Sequence, residues 1–150
     1  MSLNFLSEGK RLIKVDEKYE DIYTTLTEKT GLAIHEIFYL CTLLGFKSQQ
    51  KSEEFIGGRK EFRVSYLEET QRSVLYAIAN ETIKLSELTT SDAINSVIKE
   101  YQRYSNGGME ILIENVLNNH YKDGRLQENY TKYDIDILKY IYDQLIAIPF

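Results

Sequence analysis

Side chains able to do bond-making chemistry are few here, and their spacing keeps them apart. The chain has two histidines, His35 and His120, and one thiol, Cys41. A catalytic base needs a nucleophile and an orienting group beside it, and none stands near either histidine in the sequence. His35 therefore reads as a structural histidine near a helix start. His120 reads as a cation favoured at a helix C-terminus, and Cys41 as a small hydrophobe on an apolar helical face. Two histidines and one thiol leave no Cys/His zinc set. Glu53-Glu54, Glu68-Glu69 and the pair Asp134 and Asp136 are carboxylates one or two residues apart, which point in different directions on a helix and make no paired-carboxylate or metal site. Gly57-Gly58-Arg59-Lys60 has the look of a phosphate-cradling loop but lacks the following Ser/Thr and the Walker spacing. The expectation is a protein that is not an enzyme, with no catalytic residue, metal or cofactor.

Charge is the more informative chemistry. The 150 residues carry 18 Lys+Arg against 23 Asp+Glu, a net charge of −5, with a pI near 5.1. That total excludes a generally basic, DNA-coating protein. It is unevenly spread: residues 1–66 hold ten basic and ten acidic side chains, whereas residues 67–150 hold eight and thirteen, so the whole excess of −5 lies in the second part. Within the neutral part the cations gather, Lys10, Arg11 and Lys14 in one short run and Lys47, Lys51, Arg59, Lys60 and Arg63 in another. A solvated surface produces such clusters too, and so does a local anion-binding face.

The elements that must position these residues follow from periodicity. Residues 10–15, Lys-Arg-Leu-Ile-Lys-Val, predict a short strand. Asp16 then offers an acceptor to a helix start, and Tyr19, Ile22, Tyr23 and Leu26 form one apolar face before Thr30-Gly31 ends the helix. A second helix carries Ile34, Ile37, Phe38, Cys41 and Leu44, widened by Leu40 and Leu43, to Gly45-Phe46. A helix so apolar is expected to be buried, partly by another subunit. Residues 47–60 read as a basic loop and 61–67 as a strand. Helices are expected over 68–84, with Val74, Leu75 and Ile78 inward, and from a cap at Thr89, Thr90 or Ser91 through Ile94, Val97, Ile98 and Tyr101. Asn106-Gly107 is expected to stop that helix, and a fifth carries Leu112, Ile113, Val116 and Leu117. Residues 121–130 read as a loop turning at Asp123-Gly124. A last helix starts near Tyr133, with Ile135, Leu138, Ile141, Tyr142 and Leu145 as its apolar face, before the sole proline, Pro149. The fold class is mainly α with one or two short strands, in a single domain. Its parts are residues 1–46, 47–66 (basic loop and strand) and 67–150 (helical).

The N-terminal order, a basic strand, a capped helix, a Thr-Gly turn and a second apolar helix, resembles a ribbon-helix-helix module. The resemblance implies that two chains pair their strands into a ribbon for the major groove, which is about 12 Å wide. With Ile13 and Val15 turned to the core, alternation puts Lys10, Leu12 and Lys14 on the other face. The lysines could then donate to guanine or phosphate and Leu12 touch a thymine methyl, while Lys47, Lys51, Arg59, Lys60 and Arg63 add phosphate contacts. The N–H groups around Leu32-Ala33-Ile34 would hold a further phosphate. If the strand only dimerises, its lysines are instead guards against edge-to-edge aggregation.

From Lys10 to Leu117 the chain is also similar to a family of small accessory proteins associated with DNA phosphorothioation (Dnd) systems. The matching pieces are Leu43-Leu44-Gly45-Phe46, the strand Glu61–Leu67, Ser73–Ala79 and above all Asn106-Gly-Gly-Met-Glu-Ile-Leu112, whose double glycine is expected to make a tight reversal between two helices. That resemblance implies a bacterial or archaeal accessory protein of DNA sulfur modification or the linked restriction defence. It supplies no catalytic residues. The expected partners are DNA, a second copy in a homodimer or higher oligomer, and other proteins of the system. An interaction subunit without nucleic-acid contact is the alternative. Of the twelve tyrosines, Tyr19, Tyr23, Tyr101, Tyr133, Tyr140 and Tyr142 fall at helical spacing with aliphatic residues and suggest packing rather than base stacking. With no apolar run near the ~20 residues a membrane span needs and no signal-peptide layout, a cytoplasmic location is expected.

Overall fold

The computed structural model describes residues 4–6 and 10–146. β1 (Leu12–Asp16) runs antiparallel to β2 (Gly57–Arg63), with Leu12 opposite Arg63, Ile13 opposite Phe62 and Lys14 opposite Glu61. Between them lie α1 (Glu20–Thr30) and α2 (Ile34–Lys47). α3 (Glu69–Asn80) and α4 (Ser91–Leu112) follow. A two-stranded hairpin of β3 (Tyr121–Lys122) and β4 (Arg125–Leu126) then leads to α5 (Tyr133–Ile146). The mainly helical class with few short strands matches the sequence expectation, and no described helix is long and apolar enough to cross a membrane.

Local signals worked where a single residue type sets the backbone. Asp16 accepts from the Lys18 N–H at 3.0 Å and caps a single 3-10 turn that feeds α1. Gly31, with φ at +76°, ends that helix as a left-handed C-cap should. Thr90 caps α4 by accepting from the Ala93 N–H at 3.1 Å. Asp123 and Gly124 both take positive φ, 53° and 82°, so the expected turn is the two-residue connection that a tight hairpin prefers.

The largest departure is at Asn106-Gly107-Gly108. These residues do not stop a helix; they lie buried inside the continuous 22-residue α4. A Cβ on Gly108 would stand 1.7 Å from the Cys41 carbonyl oxygen of α2, and one on Gly107 2.0 Å from the Gln50 carbonyl oxygen. Reciprocally, a Cβ on Gly45 of α2 would stand 2.0 Å from the Tyr104 carbonyl oxygen of α4. The glycines let two helix backbones touch. That close crossing sets Ile37, Phe38, Cys41 and Leu44 of α2 in the core of its own chain, while Tyr39, Leu40 and Leu43 stay partly exposed. Beyond Leu112 the helix continues through a π-helical turn, Ile113–Leu117, and a 3-10 turn, Asn118–His120, in place of a separate fifth helix.

Other boundaries shift in the same way. The second strand occupies 57–63 rather than 61–67, giving way to a 3-10 turn at Val64–Tyr66. α3 ends at Asn80 instead of Lys84, and Val74 points out while Leu75 and Ile78 are buried. In α5 the inward side chains are Tyr133 and Ile137, whereas Ile135, Leu138 and Tyr142 are exposed. The helix has apolar residues on two faces; of those expected to face inward, Ile141 packs against the core and Ile135, Leu138 and Tyr142 do not. The side chain of Leu145, and Pro149, fall outside the described residues.

Candidate nucleic-acid interface

β1 shows the expected alternation: Ile13 and Val15 are buried, while Lys10, Leu12 and Lys14 are exposed. Its partner is β2 of the same chain rather than the strand of a second copy. The ribbon expected from two chains is thus completed inside one. The cause lies in β2, whose Phe62 and following Val64 are buried in the same core as Ile13 and Val15, with the rings of Phe62 and Phe38 5.2 Å apart. Because cross-strand partners share a face, Arg63 lies beside Leu12 and Glu61 beside Lys14, and Leu12 keeps 49% of its surface exposed.

A bulge shapes the far end. Between the pairs Lys14/Glu61 and Asp16/Gly57, one residue of β1 faces three of β2, so part of the ladder loses its partners. The Glu20 carboxylate of α1 replaces them, its Oε2 accepting from the N–H groups of both Arg59 and Lys60 at 3.3 Å. Gly58 allows this approach, since a Cβ there would meet Glu20 Oε1 at 2.1 Å. Arg59 is left exposed in the bulge and Lys60 half-buried. The Gly57-Gly58 pair therefore serves the bulge, not a phosphate cradle.

The ribbon is anchored through buried Asp16. Besides capping Lys18, its Oδ2 accepts from Asn106 Nδ2 at 2.8 Å and from the Ile56 N–H at 3.2 Å, joining β1, the entry to β2 and α4. Sequence reading found only the cap. Nothing in the chain order flags a partner ninety residues away. Gln102 Nε2 of α4 also donates to the Lys14 carbonyl at 3.0 Å, and Arg11 donates to Asn95, so α4 borders the β1 edge and leaves the outer face open.

The cations differ in whether their charge is committed. Lys51 pairs with Glu100 at 3.1 Å and lies over the Tyr104 ring, and Lys47 donates to the Gln144 carbonyl at 3.2 Å. These two are not brought to the ribbon face, because one is drawn to α4 and the other to α5. Among the described residues, Lys10, Lys14, Arg59 and Arg63 form no ion pair. The phosphate contact expected at Leu32-Ala33-Ile34 is pre-empted: Glu36 Oε1 accepts from the Ala33 N–H at 3.1 Å, so the start of α2 already holds its own carboxylate.

The remaining chemical candidates are occupied structurally. His35 packs against Phe62 and Tyr66, with ring centroids 6.1 and 5.9 Å away. His120 stacks on Tyr130 at 3.7 Å, with Nδ1 2.8 Å from Gln127 Oε1. Cys41 is fully buried, which pushes its thiol up to about 12. Tyr19 is pushed well above the usual tyrosine value, first by burial and then by Glu110, to which its hydroxyl donates at 3.3 Å. No group of three or more His, Cys, Asp or Glu side chains is placed to hold a metal among the described residues.

What the fold and this face define is a mainly helical protein presenting one two-stranded basic ribbon. No protein-family model, no curated protein and no solved structure matches the chain.

Proposed function

We propose that the chain is a non-enzymatic, DNA-contacting accessory protein, and that the outer face of its β1/β2 ribbon makes the contact. The observation that carries this reading is convergence: basic residues from two distant segments, Lys10 and Lys14 with Arg59 and Arg63, meet on or beside one exposed ribbon with no ion-pair partner among the described residues, and Leu12 stands among them. An antiparallel ribbon fits a major groove. Lysine and arginine supply the salt-dependent phosphate term, and arginine the bidentate donor geometry for guanine. Glu61, opposite Lys14 on the ribbon, penalises a badly seated phosphate, which limits the contact to a small, oriented one. Lys47 and Lys51 are not part of it, and Lys60 is at its margin.

The resemblance to Dnd-associated proteins supports placing this contact in a DNA sulfur-modification or restriction system. The experiment is a duplex pair identical except for phosphorothioate linkages. Binding of either duplex, weakened by Lys14→Ala/Arg63→Ala, supports the DNA contact, and a difference between the duplexes supports the system. Absence of binding to both at low salt leaves the alternative, an interaction subunit, which the exposed apolar residues of α5 favour.

A further inference from the structure

We infer that the outer face of α5 is a self-association surface, pairing in parallel with α5 of a second copy of this chain. α5 is held in the fold by Tyr133 and Ile137, both buried. Its other side exposes Ile135 at 51%, Leu138 at 65% and Tyr142 at 63% of their surface. These are spaced three and then four residues apart, which is the a, d, a spacing of a coiled-coil seam. A β-branched residue at a followed by leucine at d is the combination that favours two parallel strands.

The charges flanking the seam decide the occupant and its direction. With Ile135 and Tyr142 at a and Leu138 at d, Asp134 falls at g and Lys139 at e, five residues on. In a parallel pair, g of one helix faces the e residue five positions later on the other, so Asp134 meets Lys139 of the second copy and symmetry makes the contact twice. Among the described residues neither side chain has an ion-pair partner. An antiparallel pair would instead set e against e and bring the lysines together. The helix spans 14 residues, about two heptads. That is too short to form alone in water, but the fold already holds it, so pairing does not have to nucleate it. This surface is separate from the ribbon, whose two strands are satisfied within one chain, so the dimer does not depend on the DNA reading.

Sedimentation equilibrium on the full chain tests it. Wild type is expected to be a concentration-dependent dimer and Leu138→Glu a folded monomer with an unchanged circular-dichroism spectrum, since that side chain is exposed. Asp134→Lys and Lys139→Asp alone are each expected to weaken the dimer, roughly tenfold given two exposed charge pairs turned repulsive, and the double swap is expected to restore it. Ile135→Cys is expected to give an intermolecular disulfide under mild oxidation, because parallel pairing sets position 135 against itself. A monomeric wild type, a Leu138→Glu dimer of unchanged strength or a double swap weaker than either single swap overturns the inference. So does failure of Ile135→Cys to cross-link.

Discussion

Gly108→Ala inverts the usual ranking of helix residues. In an ordinary helix interior this change stabilises by about 1 kcal/mol, because alanine loses less backbone freedom than glycine. Here the new Cβ would stand 1.7 Å from the Cys41 carbonyl oxygen and 2.5 Å from its carbonyl carbon, where real Cβ contacts essentially never fall below 3.0 Å. The shortfall is about 1.3 Å, and both opposing atoms are backbone, so no side chain can swing aside. α2 and α4 must separate or tilt. A gap of 0.5–1 Å already forfeits roughly a quarter to a half of the dispersion well between two atoms, and overpacking strain runs at about 1–3 kcal/mol. Taken across the crossing that buries Phe38 and Cys41, the net expectation is a loss of about 3 kcal/mol or more, of the size reserved for core disruption. Urea unfolding followed by circular dichroism measures it, with the midpoint read at constant slope. A Gly108→Ala variant as stable as wild type, or more so, would refute the close-crossing account and return the double glycine to a tight reversal between two helices.

The further expectations rest on three separate observations. Asp16→Ala should cost about 2–4 kcal/mol, because it strips acceptors from the Ile56 N–H and the buried Asn106 amide and leaves them unpaired; a melting temperature within error of wild type contradicts it. Stability should fall as pH rises above 9.0, the ordinary thiol value, toward about 12 for Cys41. Over that range the unfolded chain releases a proton that the folded chain keeps, so the contribution is full below 9.0 and is lost on the alkaline side; the buried tyrosines Tyr23 and Tyr101, raised by burial, act in the same direction at higher pH. A thiol reagent should accordingly label Cys41 only upon unfolding, and rapid labelling of the native protein would contradict its burial. Gly124→Ala, at φ +82° with open space around it, should cost about 1 kcal/mol through backbone conformation alone, and a neutral result in the same urea assay would place the turn elsewhere.

What could be read from the sequence was what a single residue or a regular period dictates. The cap at Asp16, the stop at Gly31, the Asp123-Gly124 turn and the inward Ile13 and Val15 all depend on neighbours within a few positions. The double glycine misled because glycine ends a helix or admits another backbone with the same residue type, and only the presence of Gly45 and Cys41 across the crossing decides between them. α5 misled because it is apolar on two faces, and periodicity cannot say which of them the core takes. In the candidate site, Lys10, Leu12 and Lys14 were legible as one strand face. That Arg59 and Arg63 join them, and that Lys47 and Lys51 do not, depends on β2 pairing with β1 and on Glu100 and Gln144 capturing the other two lysines. Those are interactions across forty to a hundred residues that leave no local mark.

The central claim, a DNA contact made by an in-chain basic ribbon, is tested most directly by the salt dependence of duplex binding. Wild type should bind with an affinity that falls linearly on a log-log plot against salt. Lys10→Ala/Lys14→Ala/Arg59→Ala/Arg63→Ala should lower affinity and flatten the slope, by up to about 0.9 for each phosphate that is no longer neutralised, whereas Lys47→Ala/Lys51→Ala should leave the slope unchanged. No binding by wild type at low salt, or a ribbon variant with unaltered affinity and slope, would contradict the account.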